Sequence, residues 1–266
     1  MKEITLEEKK KLMLEMLEEI DTFCRENNIK YFLTGGTLIG AIRHNGFIPW
    51  DDDVDIALLR KDYEKLLNEF SSKSENIEII DYKKRKNYIW PSAKIIHNKT
   101  YLIESNIKKS SIGVFLDMFP IDYVGGSYDD VKKYVKKACK WRNILTIKHL
   151  ETSKNRSFSK NMLIIVARIL NLIPDKFIIK KLELLSKKYE NQPQSDFVCN
   201  FAGAWGLREI VRREFFDTAI NHRFENLNLC VPIGYDGFLK AVYGDYMTPP
   251  PLNKQKSTHT LKEYYT

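Results

Sequence analysis

A chain of 266 residues with 43% hydrophobic and 12% aromatic content can bury a substantial core, as one large domain or as a core with an elaboration. Ordinary glycine and proline usage, with no repeat or low-complexity tract, excludes a disordered chain. The net charge of +8 is uneven: 16 Lys/Arg face 6 Asp/Glu between Tyr128 and Glu190, a balance of +10 that leaves the remainder near −2.

The N-terminus predicts a helix. Thr5-Leu6-Glu7-Glu8 reads as a capping box, followed by an apolar stripe at Met13, Met16, Leu17, Ile20 and Phe23 and a stop at Asn27-Asn28. Tyr31-Phe32-Leu33 predicts a short buried strand broken at Gly35-Gly36. A helix from Thr37 to about His44 follows, then a loop punctuated by Asn45-Gly46 and Pro49. Val54 to Leu59 reads as the next strand and Lys61 to Phe70 as the next helix. Further strands are expected at Ile77-Ile80, Ser92-Ile96 and Gly113-Met118, so an α/β core ends near Gly126.

Beyond that point the character changes. Asp130 to Leu150 and Ser159 to Lys188 read as basic amphipathic helices, the second broken at Pro174. From Asn191 loops surround a short helix at Tyr235 to Tyr243, before the proline run Pro249-Pro250-Pro251. The expected division is a core at 1–127, a helical elaboration at 128–190, and a segment at 191–266 that packs back on the core.

Four dispersed cysteines (Cys24, Cys139, Cys199, Cys230) form no CxxC and argue against a disulfide scaffold or a zinc site. The apolar run Met162 to Ile173 is too short to span a bilayer, and the N-terminus has no signal-peptide core. A cytoplasmic location is expected.

The stretch from Leu33 to Ile56 carries the chemistry. Two glycines at a strand-to-helix turn let backbone approach a ligand, and the free N–H groups of the helix that follows make an anion site. In Asp53-Val54-Asp55-Ile56 two carboxylates stand one residue apart, on one face of a strand. Their repulsion is relieved by a hard divalent cation, and Mg²⁺ is commonly held by one or two carboxylates plus substrate phosphates. A solvated acidic turn is the alternative, which the apolar neighbours Trp50, Val54, Ile56, Ala57 and Leu58 oppose. Asp117, a lone acid in an apolar strand, is the candidate third carboxylate. Its alternative is a core aspartate satisfied by backbone donors or by Lys94. Asp122 reads as a turn residue.

The run Thr34-Gly35-Gly36-Thr37-Leu38-Ile39-Gly40-Ala41-Ile42-Arg43-His44-Asn45-Gly46-Phe47-Ile48-Pro49-Trp50-Asp51-Asp52-Asp53-Val54-Asp55-Ile56 closely resembles the LicD family of the nucleotidyltransferase-like superfamily, which includes the fukutin-related proteins. Gly113 to Asp122, Pro232 to Asp236 and Tyr243 to Met247 are similar to later family blocks, so the likeness spans nearly the whole chain. It implies an α/β (α+β) nucleotidyltransferase-like mixed sheet core. The implied function is transfer of phosphocholine or a related phospho-alcohol from CDP-choline or another CDP-alcohol. The acceptor would be a glycan or lipid-linked glycan, such as a teichoic acid or lipopolysaccharide precursor.

On that reading Asp53, Asp55 and Asp117 bind Mg²⁺ (or Mn²⁺) and are catalytic. Gly35, Gly36 and Thr37 hold donor oxygens, and Arg43 and Lys94 are candidate phosphate clamps. Trp50, Tyr88, Trp90, Trp205 and Tyr235 are the aromatics available to a quaternary ammonium. Region 128–190 has two explanations: docking on anionic lipid or on a lipid-linked, pyrophosphate-bearing acceptor at the cytoplasmic membrane face, or helices that pack on the core and show a solvated lysine-rich face. Two other functions stay open: a nucleotidyltransferase releasing pyrophosphate, and a non-catalytic membrane or nucleic-acid binding module. No nucleic-acid motif is present, so nucleic acid is not an expected partner.

Overall fold

The computed structural model describes residues 2–86, 88–104, 112–150, 157–192, 194–256 and 261–266. The first helix, α1 (Leu6–Glu26), begins as the sequence predicts. The Thr5 hydroxyl accepts the Glu8 N–H while the Glu8 carboxylate accepts the Thr5 N–H, so two otherwise orphaned donors are satisfied at once. Met13, Met16, Leu17 and Ile20 are fully buried along one face, and Lys9 lies on the same stripe.

The chain then alternates. β1 (Phe32–Leu33) leads to α2 (Gly35–His44), β2 (Asp55–Leu59) and α3 (Arg60–Glu69), followed by β3 (Ile77–Ile80), β4 (Ala93–His97), β5 (Thr100–Glu104) and β6 (Phe115–Val124). The basic region supplies α4 (Tyr128–His149), α5 (Phe158–Val166), a 3-10 stretch over Ala167–Leu172, and α6 (Asp175–Ser186). Residues 151–156 of that region lie outside the described residues. The last part gives β7 (Phe197–Cys199), β8 (Ile210–Arg212), β9 (Ala219–Phe224), β10 (Leu227–Pro232), α7 (Tyr235–Tyr243) and β11 (Leu261–Tyr265).

The main sheet runs β1-β2-β6-β4-β3, with β7 added to the far half of β6 and β8 to β7. Only β2 and β6 pair in parallel; the other neighbours are antiparallel, so the sheet is mixed. The ten-residue β6 is the axis. Its first half lies between β2 and β4, and Asp122–Val124 turn to β7. Phe216, Phe224, Leu229, Val231, Phe238 and Leu239 share one apolar core with α1 and β2, so the C-terminal residues complete that core. A second core joins α4 and α6 to Val124, Cys199, Phe201 and Ile210.

Three sequence expectations change. The helix expected from Thr37 starts at Gly35, because Thr34 takes the N-cap position and its carbonyl accepts from Leu38 N–H. The segment after Asn191, expected to be loops around one helix, also holds the antiparallel hairpin β9–β10, joined by the Glu225-Asn226 turn, and β11, which pairs with β5. Asp122 is not a turn residue: it lies in β6, 1% exposed, and Arg60 grips both its oxygens at 2.7 and 2.8 Å. A buried carboxylate in a strand needs such a partner, and the matching cation sits 62 residues away in sequence.

The loop after α2 folds back over its own helix. A Cβ on Gly40 would meet the Gly46 carbonyl oxygen at 2.4 Å, so only glycine permits this approach. Asn45 closes the helix in the left-handed region (φ 55°). Glu225, at the β9–β10 turn, then accepts the Phe47 N–H at 2.9 Å and donates its own N–H to Asn45 O at 2.8 Å. The fold-back returns residues 49–53 to the start of α2.

Candidate active site

Sheet register sets the site. Asp55 on β2 stands directly beside Asp117 on β6, and Asp117 stands directly beside Lys94 on β4. Directly paired residues of neighbouring strands project to one face, so the three side chains form a row across the sheet. The Lys94 ammonium closes on Asp117 Oδ1 at 2.6 Å and is 3% exposed. It also lies over the Phe115 ring at 3.5 Å and the Trp90 ring at 5.0 Å.

α2 approaches the row end-on. Thr34 N–H donates to Asp55 O at 3.1 Å, and Asp55 N–H donates to the Thr37 hydroxyl oxygen at 2.9 Å. A Cβ on Gly35 (φ +60°) would meet Asp55 Oδ2 at 2.2 Å, and one on Gly36 would meet Asp51 Oδ2 at 2.5 Å. The glycines thus leave room for two carboxylates against the electropositive first turn of the helix. In this structure they face protein carboxylates, and the Thr37 oxygen is engaged in fixing Asp55.

The carboxylates press on one another. Asp55 is pushed well above the usual carboxylate range, first by burial and then by Asp53, Asp117 and Asp51, with Lys94 opposing. Asp51 is pushed up to about 7, first by burial, then by the charge of Asp53 and a hydrogen bond to it. The Asp51 side chain is therefore part of the cluster. Asp52 turns the other way, toward the buried Lys9 at 3.8 Å, and Lys9 reaches Glu263 at 2.6 Å. Thus α1 and β11 anchor the acidic turn. A lysine four residues before Met13, on the buried face of an amphipathic helix, was the sequence signal for this anchor.

Asp53, Asp117, Lys9, Lys94, Trp90 and Ala202 line a cavity of about 240 Å³. Trp90, Pro91 and Ala202 also wall a larger groove of about 430 Å³, which extends to Arg142, Asn143, Thr146 and His149 on α4. The loop carrying Ala202 is clamped from two sides. The Arg142 guanidinium donates to Gly203 O, and the buried Glu209 accepts the Trp205 N–H at 3.3 Å. Tyr243, edge-on to Trp205 at 5.1 Å, lies within the field of Asp55 and Asp53; burial, then Glu209 and those acids, raises its phenol. Glu209 and Tyr243 were not among the site candidates read from the sequence, although Tyr243 opens one of the family-like blocks; both lie more than 150 residues beyond the acidic turn.

The remaining sequence candidates separate. Arg43 occupies the opposite end of α2, roughly 12 Å along the axis from Gly35, and donates to Tyr246 O at 2.7 Å. It holds the C-terminal loop and is not brought to the acidic row. Trp50 is partly buried in the returning loop. Tyr88 is a core residue whose hydroxyl donates to Ser92 O at 2.7 Å. Trp90 borders the cavity, Trp205 is exposed, and Tyr235 packs on the core at the start of α7.

Asp53, Asp55 and Asp117 are hard oxygen donors, the chemistry Mg²⁺ or Mn²⁺ prefers, and the raised Asp55 marks negative charge that a divalent cation would relieve. Among the described residues no three acidic, histidine or cysteine side chains are already drawn into a closed ligand set. An open set of two carboxylates completed by substrate phosphates suits that arrangement.

A mixed sheet with paired acids beside a glycine-initiated helix defines a nucleotidyltransferase-like domain. Residues 28–163 match the family described as LicD/FKTN/FKRP, nucleotidyltransferase domain, and the chain belongs to that family. It is 30% identical over 272 residues to the lipopolysaccharide cholinephosphotransferase LicD of Haemophilus influenzae, covering 99% of each chain. It is 50% identical over 34 residues to the human ribitol 5-phosphate transferase FKRP, covering 13% of this chain and 7% of that protein. An uncharacterised Rickettsia typhi protein is 33% identical over 106 residues, 38% of this chain and 28% of its own.

Proposed function

We propose that this protein transfers phosphocholine, or a related phospho-alcohol, from a CDP-linked donor to a hydroxyl of a bacterial surface glycan or its precursor, releasing CMP. The observation that carries the reading is the Asp55–Asp117–Lys94 row, with the Asp53 charge acting on Asp55 and the Gly35-Gly36 helix start against Asp55 and Asp51. Full-length similarity to a lipopolysaccharide cholinephosphotransferase supports the choice of phosphocholine over other groups.

The acceptor oxygen attacks the alcohol-bearing phosphorus, and the bond from that phosphorus to the bridging oxygen breaks. The electron pair leaves with CMP. The hydroxyl proton passes to Asp117, whose carboxylate borders the cavity. Lys94 holds Asp117 in position and adds positive charge beside the transferring group. Asp53 and Asp55 would hold Mg²⁺ (or Mn²⁺), which when bound supplies neutralisation of the donor's diphosphate charge. The Thr37 hydroxyl oxygen fixes Asp55 by accepting the Asp55 backbone N–H. The groove running past Trp90 to α4 gives the second substrate a route to the same phosphorus.

A panel of CDP-choline, CDP-ribitol and CDP-glycerol, each with Mg²⁺, tests the reading. CMP from one donor, with slow release even before an acceptor is added, is the expected outcome. Pyrophosphate from a nucleoside triphosphate, with no CMP from any CDP-alcohol, would select the nucleotidyltransferase alternative instead.

A further inference from the structure

The basic elaboration carries apolar side chains that no other part of the described residues covers. On α5 and the 3-10 stretch after it, Phe158 is 81% exposed and Leu172 83%, with Met162, Ile165, Val166 and Ile169 also open. Ile164 is the described α5 side chain that turns inward. α6, packed like the 3-10 stretch on α4, exposes groups of both kinds: Phe177 and Leu184 stand among exposed Lys176, Lys180 and Lys181. Folded chains rarely leave so many large apolar side chains open along successive turns without a use.

The acids that would offset the lysines are already engaged. Asp175 is paired with Lys148, and Glu183 is held by Lys83, Lys187 and the Tyr82 hydroxyl. The surface therefore presents large apolar groups interleaved with unneutralised ammonium groups. No helix among the described residues is long and apolar enough to cross a membrane.

We infer that residues 158–188 form an interfacial membrane anchor, with Phe158, Ile169, Leu172 and their neighbours inserted among acyl chains and the α6 lysines on anionic headgroups. Charge selects this occupant. A symmetric pairing of two copies would bring the α6 lysines of each onto the same patch of the other, which is repulsive. An anionic bilayer complements both features at once, since apolar burial and ammonium attraction act in the same plane. Orientation follows from the chain path. The groove next to the acidic row reaches His149, the last residue of α4, and Leu150 just after it, and the 3-10 stretch packs on that same helix. Docking would bring the groove mouth toward the lipid surface, where a lipid-linked acceptor would be presented.

The experiment is co-sedimentation of the full chain with vesicles at low salt, either pure phosphatidylcholine or an equal mixture with phosphatidylglycerol. The wild type should pellet with the anionic vesicles, and binding should weaken as salt rises. Phe158→Ser/Ile169→Ser/Leu172→Ser should weaken binding by at least about 100-fold, while CD and urea midpoint stay unchanged because the replaced side chains are exposed. Lys180→Gln/Lys181→Gln, on the solvent side of α6, should weaken it by roughly 10-fold or more and serves as the second variant should the first not fold. Three results would overturn the inference. They are no pelleting with anionic vesicles, full pelleting of both variants, or a lipid-free dimer by light scattering that the serine variant dissociates. None of these readouts depends on transfer activity, so failure here leaves the proposed reaction standing.

Discussion

Substituting Gly35 by alanine separates backbone strain from the geometry of the acidic site. At φ +60° any residue with a Cβ costs about 1–2 kcal/mol. Gly206, at φ +61°, carries the same strain, but a Cβ there meets nothing within 4 Å. At Gly35 the added carbon would stand 2.2 Å from Asp55 Oδ2, where ordinary contact begins near 3.4 Å. The carboxylate must therefore retreat by about 1 Å, and a displacement of that size at a reacting group costs on the order of 100-fold in rate. Urea denaturation and CMP release from CDP-choline measure the two effects. Gly206→Ala and Gly35→Ala should lose similar stability, whereas only Gly35→Ala loses turnover. Near-wild-type turnover in folded Gly35→Ala would refute the placement of Asp55 in the reaction.

Other outcomes follow from the same geometry. Arg60→Ala strands the buried Asp122 carboxylate and should cost about 3–5 kcal/mol in urea unfolding, with Arg60→Met/Asp122→Leu recovering much of it; equal losses would mean the pair is not coupled. Arg43→Ala should cost about 1 kcal/mol of stability through its bond to Tyr246 O, leaving KM for CDP-choline unchanged; a tenfold rise in KM would restore it as a phosphate clamp. Glu209 is raised from 4.5 to about 7 by burial, so the folded state binds a proton that the unfolded state releases. Stability should therefore fall as pH climbs from about 4.5 to 7, by roughly 3 kcal/mol. Glu209→Gln should flatten that slope in melts across this range; an unchanged slope would assign it to another group.

What was legible in the sequence was local. The capping box Thr5–Glu8, the apolar stripe of α1, the strand Ile77–Ile80 and the helix Tyr235–Tyr243 each follow from short-range patterning, and they lie where the pattern puts them. The closeness of Asp53 and Asp55 follows from their spacing, although β2 begins only at Asp55 and Asp53 lies in the preceding loop. Hidden features depend on distant partners. Arg60 meets Asp122, Lys9 meets Glu263 and Asp52, and Arg43 is drawn away to Tyr246, all through register and loop closure that no local window contains. The glycines were legible as a close approach, but the groups that approach them are Asp55 and Asp51. Asp51 illustrates the limit best: next to Asp52 in sequence, it joins the cluster while its neighbour turns to α1.

The most direct test of the central claim is CMP release from CDP-choline by wild type and Asp53→Asn, each with Mg²⁺ and with EDTA. The account predicts CMP only from wild type with Mg²⁺, with Asp53→Asn folded by CD yet reduced by at least about 100-fold. CMP release that survives both EDTA and Asp53→Asn would contradict it.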